Sequence, residues 1–212
     1  KTTVVYINGV NAWTYDDRWG GPDGGKANAA VYNWGALIPY TVPGGNDGVT
    51  VSGKLTSYNP NNPTTIQLMQ NGAVKYTVTI DPTTGSGQKE QNFSFDAVAA
   101  GTYDLVVTKP GHLTYTVKGV VVGDSPLDLT ALTGKPYSTI TLIPGDLNND
   151  GSVNTQDYQI LTSPSNYGKS ASLAVVKVAD INGDGSINTQ DYQILTSPSH
   201  YGKSAVSVNF GG

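Results

Sequence analysis

From Asp146 to Asp157 the sequence reads DLNNDGSVNTQD, and from Asp180 to Asp191 it reads DINGDGSINTQD. Oxygen-bearing side chains occupy positions 1, 3, 5, 9 and 12 of each stretch: Asp146, Asn148, Asp150, Asn154 and Asp157, then Asp180, Asn182, Asp184, Asn188 and Asp191. Position 6 is Gly151 or Gly185, and position 7, which would lend its backbone carbonyl, is Ser152 or Ser186. A hard cation of calcium's size takes about seven oxygens, and a loop of this length supplies them from alternate positions around a sharp glycine turn. A single D-x-N-x-D-G run is weak, but two complete matches in one short segment are strong. Asx-rich turns serving only local hydrogen bonds would not need an acid at position 12. Six carboxylates in two loops would also repel one another without a counter-charge. The expected cofactor is therefore Ca²⁺, two ions, with four positive charges set against six negative ones.

Each loop runs into TQDYQILTS and then a proline. Asp157 and Asp191 fall in a first helical turn, where the helix dipole favours a carboxylate, and Pro164 and Pro198 stop the helix after about two turns. On the wheel Tyr158 and Leu161, like Tyr192 and Leu195, share the core side. The opposite side carries Gln156, Gln159, Ile160 and Ser163, with Thr155 and Thr162 at its margin. Ile160 and Ile194 place a large aliphatic group on that polar face. Each either packs on its partner repeat or the neighbouring domain, or anchors a partner protein within a polar ring. Residues 151–171 and 185–205 differ at only two of 21 positions, Val153/Ile187 and Asn166/His200. Two copies make a pseudo-two-fold module from about Gly145 to Ser204. So small a unit with few large apolar side chains needs its metal to fold firmly.

The rest of the 212-residue chain must position this module. Residues 49–143 alternate in the β manner through VTVSGKLTSY, TTIQLMQ, VKYTVTI, QNFSFDAV, GTYDLVVTK, LTYTVKGVVV and STITLI. Asn71-Gly72, Pro110-Gly111 and the stretch from Thr84 to Gly87 break them as turns, and seven short strands of this kind predict a sandwich. TLIPGDLNNDG leaves almost no linker before the first loop, which predicts rigid coupling. Residues 1–48 are Gly-rich and hold all three Trp, at 13, 19 and 34. With Tyr15 and Tyr32 these aromatics either staple the segment onto the sandwich or form a platform making weak carbohydrate contact. The expected domains are thus 1–48, 49–143 and 144–212.

Composition excludes several functions. A net charge of −4 with scattered Lys gives no footprint for nucleic acid. No apolar run approaches the length of a spanning helix, so no membrane insertion is expected. The chain has no Cys and hence no disulfide or thiolate metal site. Its start at Lys1 without a leader is expected of a fragment of a larger, exported protein. Glu90 is the sole Glu, His112 is a lone turn histidine expected to be exposed, and no nucleophile elbow or P-loop is present. No enzyme is expected.

Residues 145–204, with paired calcium loops bearing Asp at position 12 and one helix after each, resemble a dockerin, the module that plugs subunits of cellulosome-type assemblies into cohesins. The resemblance implies a cohesin on a scaffoldin or cell-surface anchoring protein as partner, in a secreted, extracellular bacterial complex. It places the contact at Thr155, Gln156, Gln159, Ile160, Thr162 and Ser163, with Thr189, Gln190, Gln193, Ile194, Thr196 and Ser197 in the second repeat. Many dockerins carry basic residues near the end of that helix, where this chain has Thr-Ser-Pro. VSGKLTSYNPNNPTTIQLMQNG and FSFDAVAAGTYDLVVTKPGHLTYTVKGVVV look like a carboxypeptidase-regulatory-type sandwich, and one directly before a dockerin resembles the X module of X module–dockerin pairs. The fold implied is mainly β, an Ig-like or transthyretin-like sandwich followed by a small α calcium-binding module of two loop–helix repeats. Two identical faces would let one partner dock in either of two orientations, whereas recent duplication would copy them without consequence. Different in class are a carbohydrate-binding module with a structural calcium repeat, and an intramolecular calcium clasp capping an enzyme.

Overall fold

Alternation of apolar and polar residues fixes most of the strands. The computed structural model describes residues 2–7, 10–16 and 48–211. The chain divides into two compact units, one within residues 1–45 and one from Asn46 onward. In the first, β1 (Thr2–Ile7) pairs antiparallel with β2 (Val10–Asp16). Trp19, Tyr32 and Trp34 lie outside the described residues, and so do the side chains of Trp13 and Tyr15. The expected aromatic platform lies there too.

The second unit begins with β3 (Val49–Tyr58), whose side chains alternate so that Val51, Gly53, Leu55 and Ser57 are buried, the period of 2 that a pleated strand imposes. The strands β4 (Thr64–Gln70) and β5 (Ala73–Ile80) form a hairpin over Asn71-Gly72. Both turn residues have positive φ, 53° and 76°, the geometry that matches strand twist. Then come β6 (Gln88–Val98), β7 (Gly101–Thr108) and β8 (Tyr115–Val122), followed by the short β9 (Leu127–Asp128) and β10 (Ile140–Thr141). One sheet centres on β3, antiparallel to β6 and flanked by parallel β9 and β10. The other has the order β11-β8-β7-β4-β5, where β11 is Val206–Asn209. Val51, Leu55, Phe93 and Phe95 of the first sheet share a core with Ile66, Leu68, Leu105, Val107 and Val117 of the second. Burying each such side chain contributes about 1.5–3 kcal/mol. The seven expected strands are present, although STITLI keeps only two residues as strand before the chain turns into the module.

The module's helices are α1 (Thr155–Thr162) and α2 (Thr189–Thr196), each ending one residue before the Ser-Pro. Their repeats exchange backbone bonds reciprocally. Gly168 N–H donates to Ile187 C=O and Gly202 N–H to Val153 C=O, both at 2.8 Å. Ile187 N–H donates to Lys169 C=O at 2.9 Å and Val153 N–H to Lys203 C=O at 2.8 Å. Tyr158 and Tyr192 meet edge-to-face across the pseudo-axis, ring centroids 5.8 Å apart. The small core beneath holds Leu147, Val153, Leu161, Ala174, Ala179, Ile181, Ile187 and Leu195, and the sandwich contributes Leu113 to it.

The tail, grouped by sequence with the module, returns to the sandwich. In β11 Val206 lies opposite Tyr115 and Asn209 opposite Lys118, parallel to β8. Phe210 then stacks on Tyr137 at 5.2 Å with the rings 27° apart, and Gly211 N–H donates to the Tyr137 hydroxyl at 2.9 Å. The module is therefore tied to the sandwich at both of its ends. Truncating Phe210→Ala should remove this stack and destabilise the second unit by about 1–2 kcal/mol, read as a fall in the thermal unfolding midpoint with the far-ultraviolet spectrum unchanged.

Candidate metal centre and paired helix face

In each repeat one carboxylate ties the start of the loop to the start of the helix. Asp157 is fully buried. Its Oδ1 accepts from Leu147 N–H at 2.7 Å and Asn148 N–H at 3.3 Å, and its Oδ2 accepts from Asn154 N–H at 2.8 Å. Asn154 is the N-cap, its side chain accepting from Gln156 N–H at 2.7 Å, so the Asn–Asp pair forms a capping box. Asp191 repeats this with Ile181, Asn182 and Asn188 at 2.8, 3.1 and 2.9 Å. At position 1, Asp146 accepts from Asp150 and Gly151 N–H, both at 3.1 Å, and Asp180 from Gly183, Asp184 and Gly185 N–H at 3.0, 3.2 and 2.9 Å.

The sequence-predicted ligands thus come together loop by loop, first repeat with first and second with second. Among the described residues no group of three or more His, Cys, Asp or Glu side chains is arranged to hold a metal. The donors instead mix Asp, Asn and main-chain carbonyl, all oxygen, the chemistry a hard cation takes. What faces the buried carboxylates is backbone N–H, which leaves lone pairs on their oxygens. Burial pushes the Asp146 carboxyl above its ordinary range; the Gly151 and Asp150 amides oppose this, and the Asp157 and Asp150 charges reinforce it. Burial likewise raises Asp180 and Asp191, against their loop amides and with help from the Asp184 and Asp180 charges respectively. A carboxyl raised in the fold contributes stability below its ordinary pKa and loses it as pH rises through the folded value. At neutral pH the loops therefore carry a cost that a divalent cation would offset, and in this respect the residues fit calcium.

The helix faces are presented twice in the same way. Thr155, Gln156 and Gln159 are exposed while Ile160, Thr162 and Ser163 are half-buried, and Thr189, Gln190, Gln193, Ile194, Thr196 and Ser197 repeat this pattern. Ile160 and Ile194 each lean against the module's own core and expose only an edge. Sequence reasoning missed Tyr167 and Tyr201. Each is exposed, and each hydroxyl bonds across the pseudo-axis, Tyr167 to Thr189 and Tyr201 to Thr155, both at 3.1 Å. Their identical place in the two repeats was the signal available.

His112 is not the exposed turn residue expected. It is only 4% exposed, because its turn forms the seam with the module: it bridges to Pro144, and Gly145 N–H donates to Gly111 C=O at 2.8 Å. Its Nδ1 lies 3.0 Å from Pro110 C=O, and Nε2 has no partner. Burial lowers its pKa to about 4, with the Lys109 and His200 charges adding to the effect.

Residues 144–197, both loops and both helices, match the family model of the dockerin type I domain. In fold the chain is similar to an N-terminal interface mutant of a type II cohesin–X–dockerin complex from Acetivibrio cellulolyticus, with a TM-score of 0.54 and 24% identity over 74% of this chain and 98% of that one. A C-terminal interface mutant of the same complex matches with a TM-score of 0.52, the same identity and the same coverage. No curated protein matches. The likeness to an X module–dockerin pair thus rests on a family match for the module and on fold for the sandwich with it.

A histidine whose folded pKa lies below its unfolded one contributes stability above about pH 6.5 and loses it as pH falls toward the folded value. Between pH 6.5 and about 4 the seam should weaken by roughly 1.4 kcal/mol per pH unit on this account. His112→Gln should flatten that part of the stability–pH curve, measured by urea unfolding of both proteins across the range.

Proposed function

We propose that this chain is a non-catalytic, calcium-dependent docking unit. It binds a cohesin and thereby attaches its parent protein to a scaffoldin or a cell-surface anchoring protein of a cellulosome-like complex outside the cell. The family match supports the module's role, since dockerin type I domains bind calcium, and the fold likeness supports the sandwich as its X module. The single observation that carries the reading is the duplicated helix face, with the same residues at the same exposure in both repeats.

Each loop would hold one calcium through Asp146, Asn148, Asp150, Asn154 and Asp157, or Asp180, Asn182, Asp184, Asn188 and Asp191, together with the carbonyl of Ser152 or Ser186. The cation neutralises carboxylates that burial otherwise penalises, and so fixes where each helix starts. The chain's own residues then present Thr155, Gln156, Gln159, Ile160, Thr162 and Ser163, or their counterparts from Thr189 to Ser197. Tyr167 and Tyr201 extend these faces, each bonded to the first threonine of the other helix. A partner seated on either face meets the same chemistry, so two orientations related by 180° are open to it.

A cohesin panel tested with calcium and with excess EDTA should give binding only with calcium. Ile160→Asp or Ile194→Asp alone should leave binding within a few-fold, while the double variant should abolish it. Retention by the double variant would place the contact elsewhere. Chelation should also make residues 145–204 protease-sensitive while the sandwich stays folded, followed by limited proteolysis and mass spectrometry.

A further inference from the structure

The two loops are near copies in sequence and not in surroundings. The turn after β3 and the end of the β5–β6 connection reach over the second loop only. Asn59 Nδ2 donates to Asp180 C=O at 2.8 Å, Asn61 Nδ2 donates to Gly183 C=O at 2.8 Å, and Gly87 N–H donates to Asn182 C=O at 2.6 Å. Asn59 is buried with a positive φ of 54°, and its own Oδ1 accepts from Asn61 N–H at 3.2 Å, which holds the pair in place. These donors take the carbonyls of loop positions 1, 3 and 4, and none of them takes the position 7 carbonyl, whose partner is the loop's own Asn188 Nδ2 at 3.4 Å.

The first loop has open space where the second has the sandwich. Asn148 and Asn149 are exposed, whereas Asn182 and Gly183 are buried. A cleft of about 500 Å³ separates Asp146, Leu147 and Asn149 from Pro63 and Thr65. Position 4 accounts for the difference. The backbone there is left-handed in both loops, φ 60° at Asn149 and 75° at Gly183, so conformation does not demand glycine. Space does: a Cβ on Gly183 would sit 2.5 Å from Asn59 Oδ1 and 2.8 Å from Asn61 Nδ2.

We infer that Asn59 and Asn61 are positioning residues for the second cation loop, and that Gly183 is the residue which admits them. The sandwich fixes part of this loop's backbone, so less of it is left for a cation to order than in the first loop. The two sites are therefore unequal, the second tighter, and by linkage a cation in the second loop strengthens the grip between sandwich and module. This rests on calcium being the loops' ligand.

The test is calcium alone, titrated into the full chain against a chromophoric chelator. Two dissociation constants differing by about tenfold are expected, the size that two or three neutral hydrogen bonds support. Asp150→Ala, which spoils the first loop, should keep the tighter site, and Asp184→Ala should keep the weaker one. Adding Gly183→Asn to Asp150→Ala should weaken the remaining site to the level of the first loop, while Asn149→Gly added to Asp184→Ala should change nothing. Asn61→Ala in the intact chain, at an exposed position, should weaken only the tighter constant and reads the same quantity if an Asp variant does not fold. Equal constants, or an unmoved tighter site in both Gly183→Asn and Asn61→Ala, would overturn the inference and leave calcium binding intact. No calcium uptake by the intact chain would overturn the calcium reading itself, and the inference with it.

Discussion

Everything in the module hangs on one fully buried carboxylate per repeat. Asp157 and Asp191 gather the amides of loop residues 2 and 3 with one oxygen and the amide of the helix N-cap with the other. Loop and helix are thereby one object, joined by hydrogen bonds to one carboxyl group as well as by a core. The module's own core, made largely of Leu, Ile, Val and Ala, is too small to do this alone. Burial raises the carboxyls of Asp191, Asp180 and Asp146 against the pull of their loop amides, which is why loops that build the module also call for a cation.

The reciprocal hydrogen bonds between repeats generate a near-exact two-fold, and the sandwich breaks it at chosen places. Gly183 stands where the first repeat has Asn149, against the Asn59 turn. His200 stands where the first repeat has Asn166. Asn166 donates to Ile160 C=O and accepts from Val176 N–H, whereas His200, with Nδ1 2.6 Å from Ile194 C=O, packs edge-on to Tyr58 of the sandwich. Both departures from symmetry lie where the module meets the sandwich, and both Asn166 and His200 hold the same helix carbonyl, that of Ile160 or Ile194, so the side chains of the outward face stay alike.

How much of this was legible depended on the distance over which each feature is determined. The loops were readable because twelve consecutive positions fix their donors, and the helices because Asn, Asp and Pro mark their ends locally. Alternation gave β3 to β8 for the same reason. The tail Val206-Ser-Val-Asn-Phe also alternates, but its partner β8 lies some 90 residues earlier, Val206 opposite Tyr115, and four residues do not announce a parallel edge strand. Burial of His112 was illegible because it arises where its turn packs against Pro144 and Gly145, some thirty residues later. The Asn149/Gly183 difference was visible in the sequence, yet its meaning required Asn59, more than a hundred residues away.

That last strand has a consequence for how the chain assembles. The sheet order places β11 outside β8, so in synthesis from the amino end the β8 edge stays unpaired until both loops and both helices have been made. Contacts of such sequence separation form late and slowly. Closure of the sandwich's edge thus waits on the module's appearance, and an unpaired strand edge is what invites wrong association in the meantime. Phe210, which stacks on Tyr137, follows both repeats in the sequence, so the docking of the tail comes last in the order of synthesis.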